Sequence, residues 1–369
     1  MKKRKVVILD DGVSPDYIDK KTSVKVYHYI ATDKEIIPYS GVNNLSHGTL
    51  CSAILVEYFN NCFVYDINVF YDGKNSVLNN VINGLKWCQT QKIDLICMSI
   101  GTFSKLGYEK LLPVVKSITE KGTTIIAACS NSNKVTFPAS FSNVIGVKYK
   151  KEIESNEIVC CNNPIDGIQV LSGFPKDCKC VKELIVNFSY DDITNSMVVP
   201  YVASIFLKYN CIENDIFCKS QNKENSIGVI NLHDEYQKFI LDKISNPIIL
   251  LLDLDPVEIE SIKKVMNEAG YWVLEIGESD SIENMQTDAK RYYLVEDVEE
   301  YFKIIEYIFY PDIVFITTSE MNSNQLSKVV DLIIYRGKDI SLSYKSIPKI
   351  NMENTSYEDM LIELKNYFC

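Results

Sequence analysis

No apolar run in the chain approaches the roughly 20 residues that a helix needs to span a bilayer, so a helical membrane protein is excluded. The opening MKKRKVVILDDG has the basic start of an export signal. Its apolar run stops at Leu9 before two aspartates, too short for such a signal. The chain is therefore expected in the cytoplasm, made in its working form, with no room for a pro-segment before the first strand. Positive charge is also in deficit: 38 Lys and Arg face 49 Asp and Glu, for a net charge of −11. Nucleic acid and anionic membrane surfaces are poor partners for such a chain. Neither GxGxxG nor GxxxxGK followed by Ser or Thr occurs, which removes support for a nucleotide site. No compact run of carboxylates has the spacing of a calcium loop.

What is present suffices for real cores. The 369 residues exceed one ordinary domain and fit two, and 46% of them are hydrophobic. The 12 cysteines include neighbours at Cys160 and Cys161 and at Cys178 and Cys180. In a large cytoplasmic chain these read as reduced thiols. Zinc held by these four is the other reading, but CC and CxC are not the common CxxC pair and His233 is far away in sequence. The expectation is therefore no metal and no cofactor.

Continuous apolar runs recur along the first half: KVVILDD, then Cys62 to Phe70, Ile93 to Gly101, Gly122 to Ser130 and Ser142 to Tyr149. Such runs suit strands buried on both faces of a parallel sheet. Helix-like segments alternate with them, among them HGTLCSAILVEYF, SVLNNVINGLKWCQTQ and YEKLLPVVKSITEKG. The pattern predicts a doubly wound, mainly parallel α/β domain over 1–210. A polar, weakly periodic stretch, 211–244, reads as a connector. Residues 245–369 alternate again, from NPIILLLDLD through PVEIESIKKVMNEAG, with Gly270 as a C-terminal cap, to SYEDMLIELKNYF. They predict a smaller α/β domain.

In open parallel sheets functional side chains collect at the carboxyl ends of strands. Asp10 and Asp11 end the first run, Ser99 and Gly101 the third, and Ser130 and Asn131 the fourth. His47 and Ser196 each open a helical segment. An Asp, a His, a Ser and an amide donor are the parts that acyl transfer needs. Taken singly, each has a plainer reading. Asp10 can end a strand in a turn, His47 can be a helix residue with a satisfied ring, and Ser196 and Asn131 can be caps.

Taken together they resemble the subtilisin-like serine proteases, or subtilases, whose triad runs Asp, His, Ser along the chain. VILDDG, HGT and NSMVVP match the three triad blocks. CMSIG resembles the substrate-binding strand, AACSNSN the strand ending in the oxyanion Asn, and TFPASFSNVIGV the stretch after it. The resemblance covers residues 3 to 208 and implies a subtilisin-like fold. It also implies roles. Asp10 orients His47, His47 is general base and then acid, and Ser196 forms the acyl-enzyme. Asn131 and the Ser196 backbone N–H form the oxyanion hole, and Ser99, Ile100 and Gly101 pair with an extended substrate. Pro200 is expected in the first turn of the Ser196 helix, where amides lack partners anyway. His28 and His233 fall in no matching block and read as structural or surface residues.

Several positions depart from the family pattern. Thr194 and Asn195 stand where Gly-Thr is usual, Ser130 where Gly precedes the Asn, and Asp11 where Ser or Thr follows the catalytic Asp. Cys51, Ser52 and Ala53 replace the small residues after HGT. Each lost glycine can demand a different backbone angle. Asp11 puts a second carboxylate beside Asp10, which either raises the cost of charging both or faces away along the strand, as neighbours there do. Cys51, one turn after His47, brings a thiol toward the site or is a buried small residue. In the smaller domain Asp253, Asp255 and Glu258 read as charges favouring a helix start rather than as a metal site.

The function implied is a cytoplasmic serine endopeptidase acting on a peptide or protein substrate. A dedicated precursor that loses its leader during maturation is expected, because an unrestrained cytoplasmic protease needs narrow specificity. The alternative is a catalytically silent binding module of the same fold in a maturation complex. The smaller domain is expected to bind a leader or partner, or to support a homo-oligomer.

Overall fold

The computed structural model describes residues 2–71, 77–132, 134–154, 157–160, 166–184, 193–209, 243–277, 297–318, 326–337 and 346–368. The chain divides into two compact units, one of residues up to 225 and the other of most of those that follow. The division falls within 211–244, the stretch read as a connector, of which 211–242 lie outside the described residues.

In the first unit β1 (Arg4–Asp10), β2 (Lys25–Ala31), β3 (Ile36–Pro38), β4 (Cys62–Asn68), β5 (Leu95–Met98), β6 (Thr124–Ala128), β7 (Ile145–Tyr149), β8 (Ile158–Cys160) and β9 (Val170–Ser172) share one sheet. Their order is β3-β2-β4-β1-β5-β6-β7-β9-β8. All neighbours are parallel except the edge strands β3 and β8, which pair antiparallel. The helices are α1 (Pro15–Lys21), α2 (His47–Tyr58), α3 (Val77–Thr90), α4 (Lys105–Thr119), α5 (Lys179–Leu184) and α6 (Asn195–Tyr209). The five apolar runs became β1, β4, β5, β6 and β7. Strand β2 escaped the sequence pattern because its residues, KVYHYIA, are only partly buried and carry polar groups.

Strand pleat decides which side chains reach the site. Val6 and Ile8 pack in one core with Leu50, Ile54, Val198 and Val202. Leu9 points the other way, toward Gly84 of α3, where an added Cβ would lie 3.3 Å from its Cδ1. Alternation therefore sends Asp10 to the face of Val6 and Ile8, the face that α2 covers. Helix α2 is buried at every position from Gly48 to Val56, packed against β1, α5 and α6. A helix apolar on all sides belongs inside a core. Leu50, Ile54 and Leu55 are fully buried, and each contributes about 1.5–3 kcal/mol.

The second unit contains β10 (Ile248–Leu252), α7 (Pro256–Glu268), β11 (Val273–Gly277), α8 (Val298–Phe309), β12 (Ile313–Thr317), β13 (Leu332–Tyr335), β14 (Lys349–Asn351) and α9 (Tyr357–Phe368). Its sheet, β11-β12-β10-β13-β14, is parallel throughout. Gly270 closes α7 with φ +96°. The Tyr271 N–H donates to Met266 O at 3.1 Å and the Gly270 N–H to Asn267 O at 3.0 Å, the paired bonds of a Schellman cap. Asp255 caps the other end: its carboxylate accepts from the Glu258 N–H at 2.8 Å while Glu258 accepts from the Asp255 N–H at 3.0 Å. Glu258 also pairs with Arg336. These carboxylates are engaged in capping, so Asp255→Ala should cost about 1 kcal/mol locally. Hydrogen exchange read by mass spectrometry should speed up over the first turn of α7, by the same factor with and without EDTA. An EDTA effect confined to the wild type would instead mark a metal.

Candidate active site

Asp10, His47 and Ser196 come from three separate elements and meet. The His47 Nδ1 lies 2.8 Å from Asp10 Oδ2, and its Nε2 lies 2.8 Å from Ser196 Oγ. Asp10 is a buried acceptor, so Nδ1 carries the proton and Nε2 is left to accept from the serine hydroxyl. Thr194 Oγ1 stands 2.8 Å from the same hydroxyl. With Ser196 donating to His47, Thr194 must donate to Ser196. That contact was missed in the sequence, where Thr194 registered only as a lost glycine.

Local caps fix this geometry. Ser46 and Thr49 form a reciprocal capping box at the start of α2, and Ser46 Oγ also donates to Gly12 O. Gly12 takes φ +102°, and a Cβ on Gly48 would sit 2.5 Å from Gly12 O, so the helix end and the turn after β1 touch through their backbones. Buried Asp66 holds that turn from below. Its Oδ2 accepts from the Val13 N–H at 3.0 Å and the Tyr39 hydroxyl at 2.7 Å, and lies 2.9 Å from His28 Nδ1. His28 is thus part of this support, while His233 lies outside the described residues.

Of the two readings of Asp11, the carboxylate that loads its neighbour is the one supported, and facing away along the strand is not. Asp11 follows the end of β1, so pleat alternation no longer governs it, and it turns toward α2. Its carboxylate accepts from the His47 N–H at 3.2 Å and the Gly48 N–H at 2.7 Å, serving the exposed amides of the helix start. Burial and the neighbouring Asp10 charge push its pKa up, against those two bonds.

Helix α6 carries Ser196 in its first turn. Pro200 lies one turn further than expected, at the position whose N–H would bond Ser196 O. That carbonyl accepts instead from Ser99 Oγ at 3.3 Å and from the Cys51 thiol at 3.8 Å. Asn195 is buried and joins two loops: its Oδ1 accepts from the Tyr149 N–H at 2.7 Å and its Nδ2 donates to Ser130 O at 3.1 Å. Its own N–H donates to Asn131 Oδ1 at 3.2 Å. That bond engages the oxygen of the Asn131 amide and leaves the NH₂ end as donor. Neither Ser130 nor Thr194 takes a positive φ. The residues that replace glycine here therefore take ordinary backbone angles.

Ser99, Ile100 and Gly101 continue beyond the end of β5. Thr102 and Phe137 then exchange backbone bonds of 2.9 and 2.7 Å. Between these pairings the backbone groups of Ser99–Gly101 take no partner among the described residues. An unpaired strip of this kind can accept an extended peptide as an added strand. Thr136 crowds one side of it: a Cβ on Gly101 would meet Thr136 Cγ2 at 2.5 Å.

Cys51 is fully buried, with Sγ 3.7 Å from His47 Nδ1 and 3.3 Å from Ser99 Oγ. Both readings of this residue hold at once. The His47 pKa is pulled up by the Cys51 sulfur when ionised and by the Asp10 carboxylate, against burial. Burial also pushes the Cys51 thiol up, so it stays protonated near neutral pH and Asp10 supplies the lasting pull.

The Subtilase family model matches residues 1–226 of the chain. The major intracellular serine protease of Bacillus subtilis (strain 168) is 27% identical over 150 residues, 37% of this chain and 43% of that protein. The minor extracellular protease Epr of the same organism is 24% identical over 162 residues, 40% of this chain and 23% of that protein. The chain thus spans less than half the length of these two curated relatives. Among solved structures, the nisin leader peptidase NisP from Lactococcus lactis superposes with a TM-score of 0.41 at 15% identity, over 59% of this chain and 82% of that one.

A mercury atom on Cys51 would stand within contact of the imidazole. Mercurials should therefore block reaction of Ser196 with an active-site probe, and Cys51→Ala should abolish that sensitivity. Equal labelling of the wild type before and after complete modification of Cys51 would show the thiol to be a bystander.

Proposed function

The chain belongs to the subtilase family, and on that premise we propose that it is a serine endopeptidase in which Ser196 attacks, His47 transfers the proton and Asp10 holds the imidazole. The observation that carries the reading is the unbroken relay from Asp10 through His47 to Ser196, with both contacts at 2.8 Å. Ser196 Oγ forms the bond to the substrate carbonyl carbon as its proton passes to Nε2. That proton then goes to the leaving amine. Water takes the reverse path through His47 to free the acid. The amide of Asn131 and the Ser196 backbone N–H are assigned the oxyanion, and Ser99, Ile100 and Gly101 the substrate backbone.

The substrate is proposed to be one extended segment of a dedicated precursor peptide, cut to remove its leader, in the cytoplasm. An unpaired strip crowded by Thr136 supports narrow specificity. Buried free thiols such as Cys51, Cys62, Cys88 and Cys97 suit a reducing compartment, while the disulfide at Cys160 does not. Among the described residues no helix is long and apolar enough to cross a membrane.

A fluorophosphonate probe should label Ser196, and Ser196→Ala should remove the adduct. A folded sample that takes no label would leave a silent binding module. Asn131→Ala should lower turnover about a hundred- to a thousandfold, the loss seen for the equivalent donor in a subtilisin. The pH profile supplies a further check. His47 works as base only when neutral, and the Asp10 carboxylate pulls its pKa up against burial, so the acid limb of the profile reports that contact. Asp10→Asn should move that limb to lower pH and cut turnover by about 10⁴-fold, as in another serine protease. An unmoved limb would show that Asp10 does not act on His47.

A further inference from the structure

At the end of α2 remote from His47, a second cluster brings together groups that the proposed hydrolysis does not use. Glu57 lies in the last turn of α2, and Cys178 and Cys180 flank the start of α5. One ligand atom from each lies within 4.8 Å of the others. The two sulfurs are 3.4 Å apart, and Cys178 Sγ is 3.7 Å from Glu57 Oε2. We propose that Glu57, Cys178 and Cys180 form a zinc site that clasps α5 to the far end of the helix whose first residue is His47.

The distances suit the ion. Zinc bonds of about 2.3 Å to sulfur and 2.0 Å to oxygen separate tetrahedral ligand atoms by about 3.5–3.8 Å, so the cluster needs little movement to close on a cation. The donor set selects it. Two thiolates and one carboxylate favour zinc over calcium or magnesium, which take oxygen ligands. The carboxylate is held in place by the N–H groups of Lys179 at 2.8 Å and Cys180 at 2.9 Å. Such outer contacts orient a ligand before the metal arrives. Both thiols are buried while Glu57 is exposed, which gives the cation an entry path and leaves the fourth position to water. Binding releases the two thiol protons to solvent, and no electron is transferred.

Cys160 and Cys161 were weighed in the sequence as partners of this pair. Cys160 is disulfide-bonded, an exception to the expected reduced thiols, and Cys161 lies outside the described residues. The ligand that sequence reading missed is Glu57, which only folding brings beside the CxC pair. Ten residues of helix separate it from His47, a rise of about 15 Å. The clasp is thus structural and touches no reacting atom.

The full chain, reduced and freed of metal by a chelator, should be titrated with cadmium as probe. Thiolate-to-cadmium absorption in the ultraviolet should saturate at one equivalent and be displaced by zinc. Cys178→Ser and Cys180→Ser should each lose it, Glu57→Gln should weaken it about tenfold or more, and Cys51→Ala should retain it. The wild type gives a second readout that no variant's misfolding can obscure: zinc should slow hydrogen exchange in the segments around 57 and 178–184. Absorption unchanged in both serine variants would overturn the site. So would unchanged exchange in those segments, or a Cys178–Cys180 disulfide that persists in reductant and leaves the protein unable to bind cadmium.

Discussion

The contact between the turn after β1 and the first turn of α2 is the constraint on which the rest of the site depends. Gly48 admits the Gly12 carbonyl at a distance no side chain would allow. Only that approach brings Asp10, fixed by the sheet, within 2.8 Å of an imidazole fixed by the helix. The surrounding bonds serve the same closeness. Ser46 reaches Gly12, Asp11 serves the His47 and Gly48 amides, and the Ser14 N–H donates to Thr49 Oγ1 at 2.8 Å. Asp66 anchors the turn from the opposite side. Its Oδ1 has no hydrogen-bond partner, so Oδ2 alone gathers the donors that hold the loop.

The same economy operates at Ser196. Proline at 200 removes the amide that would have bonded Ser196 O, and side chains from two other elements take its place. Ser196 is thereby tied to β5 through Ser99 and to α2 through Cys51. Asn195, beside it, spans the ends of β6 and β7. The helix that presents the serine is held at its mouth by contacts to three strand ends and one helix, and burial of its apolar length does the remainder.

Much of this was legible in the sequence, for identifiable reasons. Runs such as VVILD and the residues after Ile93 are apolar without alternation, and only a strand covered on both faces requires that. The Asp, His and Ser blocks were legible because each joins an unusual polar residue to a local backbone demand, such as Gly48 after His47. Gly270 was legible because a helix end needs a left-handed residue. What escaped depends on distant neighbours. β2 pairs with β4 while only half-buried, and β13 and β14 are short. Asp11 leaves the strand at the point where alternation stops applying. Glu57 gains meaning only beside Cys178 and Cys180, more than a hundred residues later. The glycine replacements raised the question of backbone angle, and Ser130 and Thr194 fit ordinary ones.

The sheet ends on both sides in strands of three residues, β3 and β8. Short edges offer little template to a passing chain. The strip Ser99–Gly101 lies at the carboxyl end of an interior strand and still offers free backbone. A guest there must bring unspent N–H and C=O groups of its own. Residues already committed to a helix or a sheet have none to give. In the proposed role of this strip, selection would turn on the guest's state of folding before its side chains are consulted: a well-folded neighbour would pass untouched while an unstructured tail of the same sequence would not.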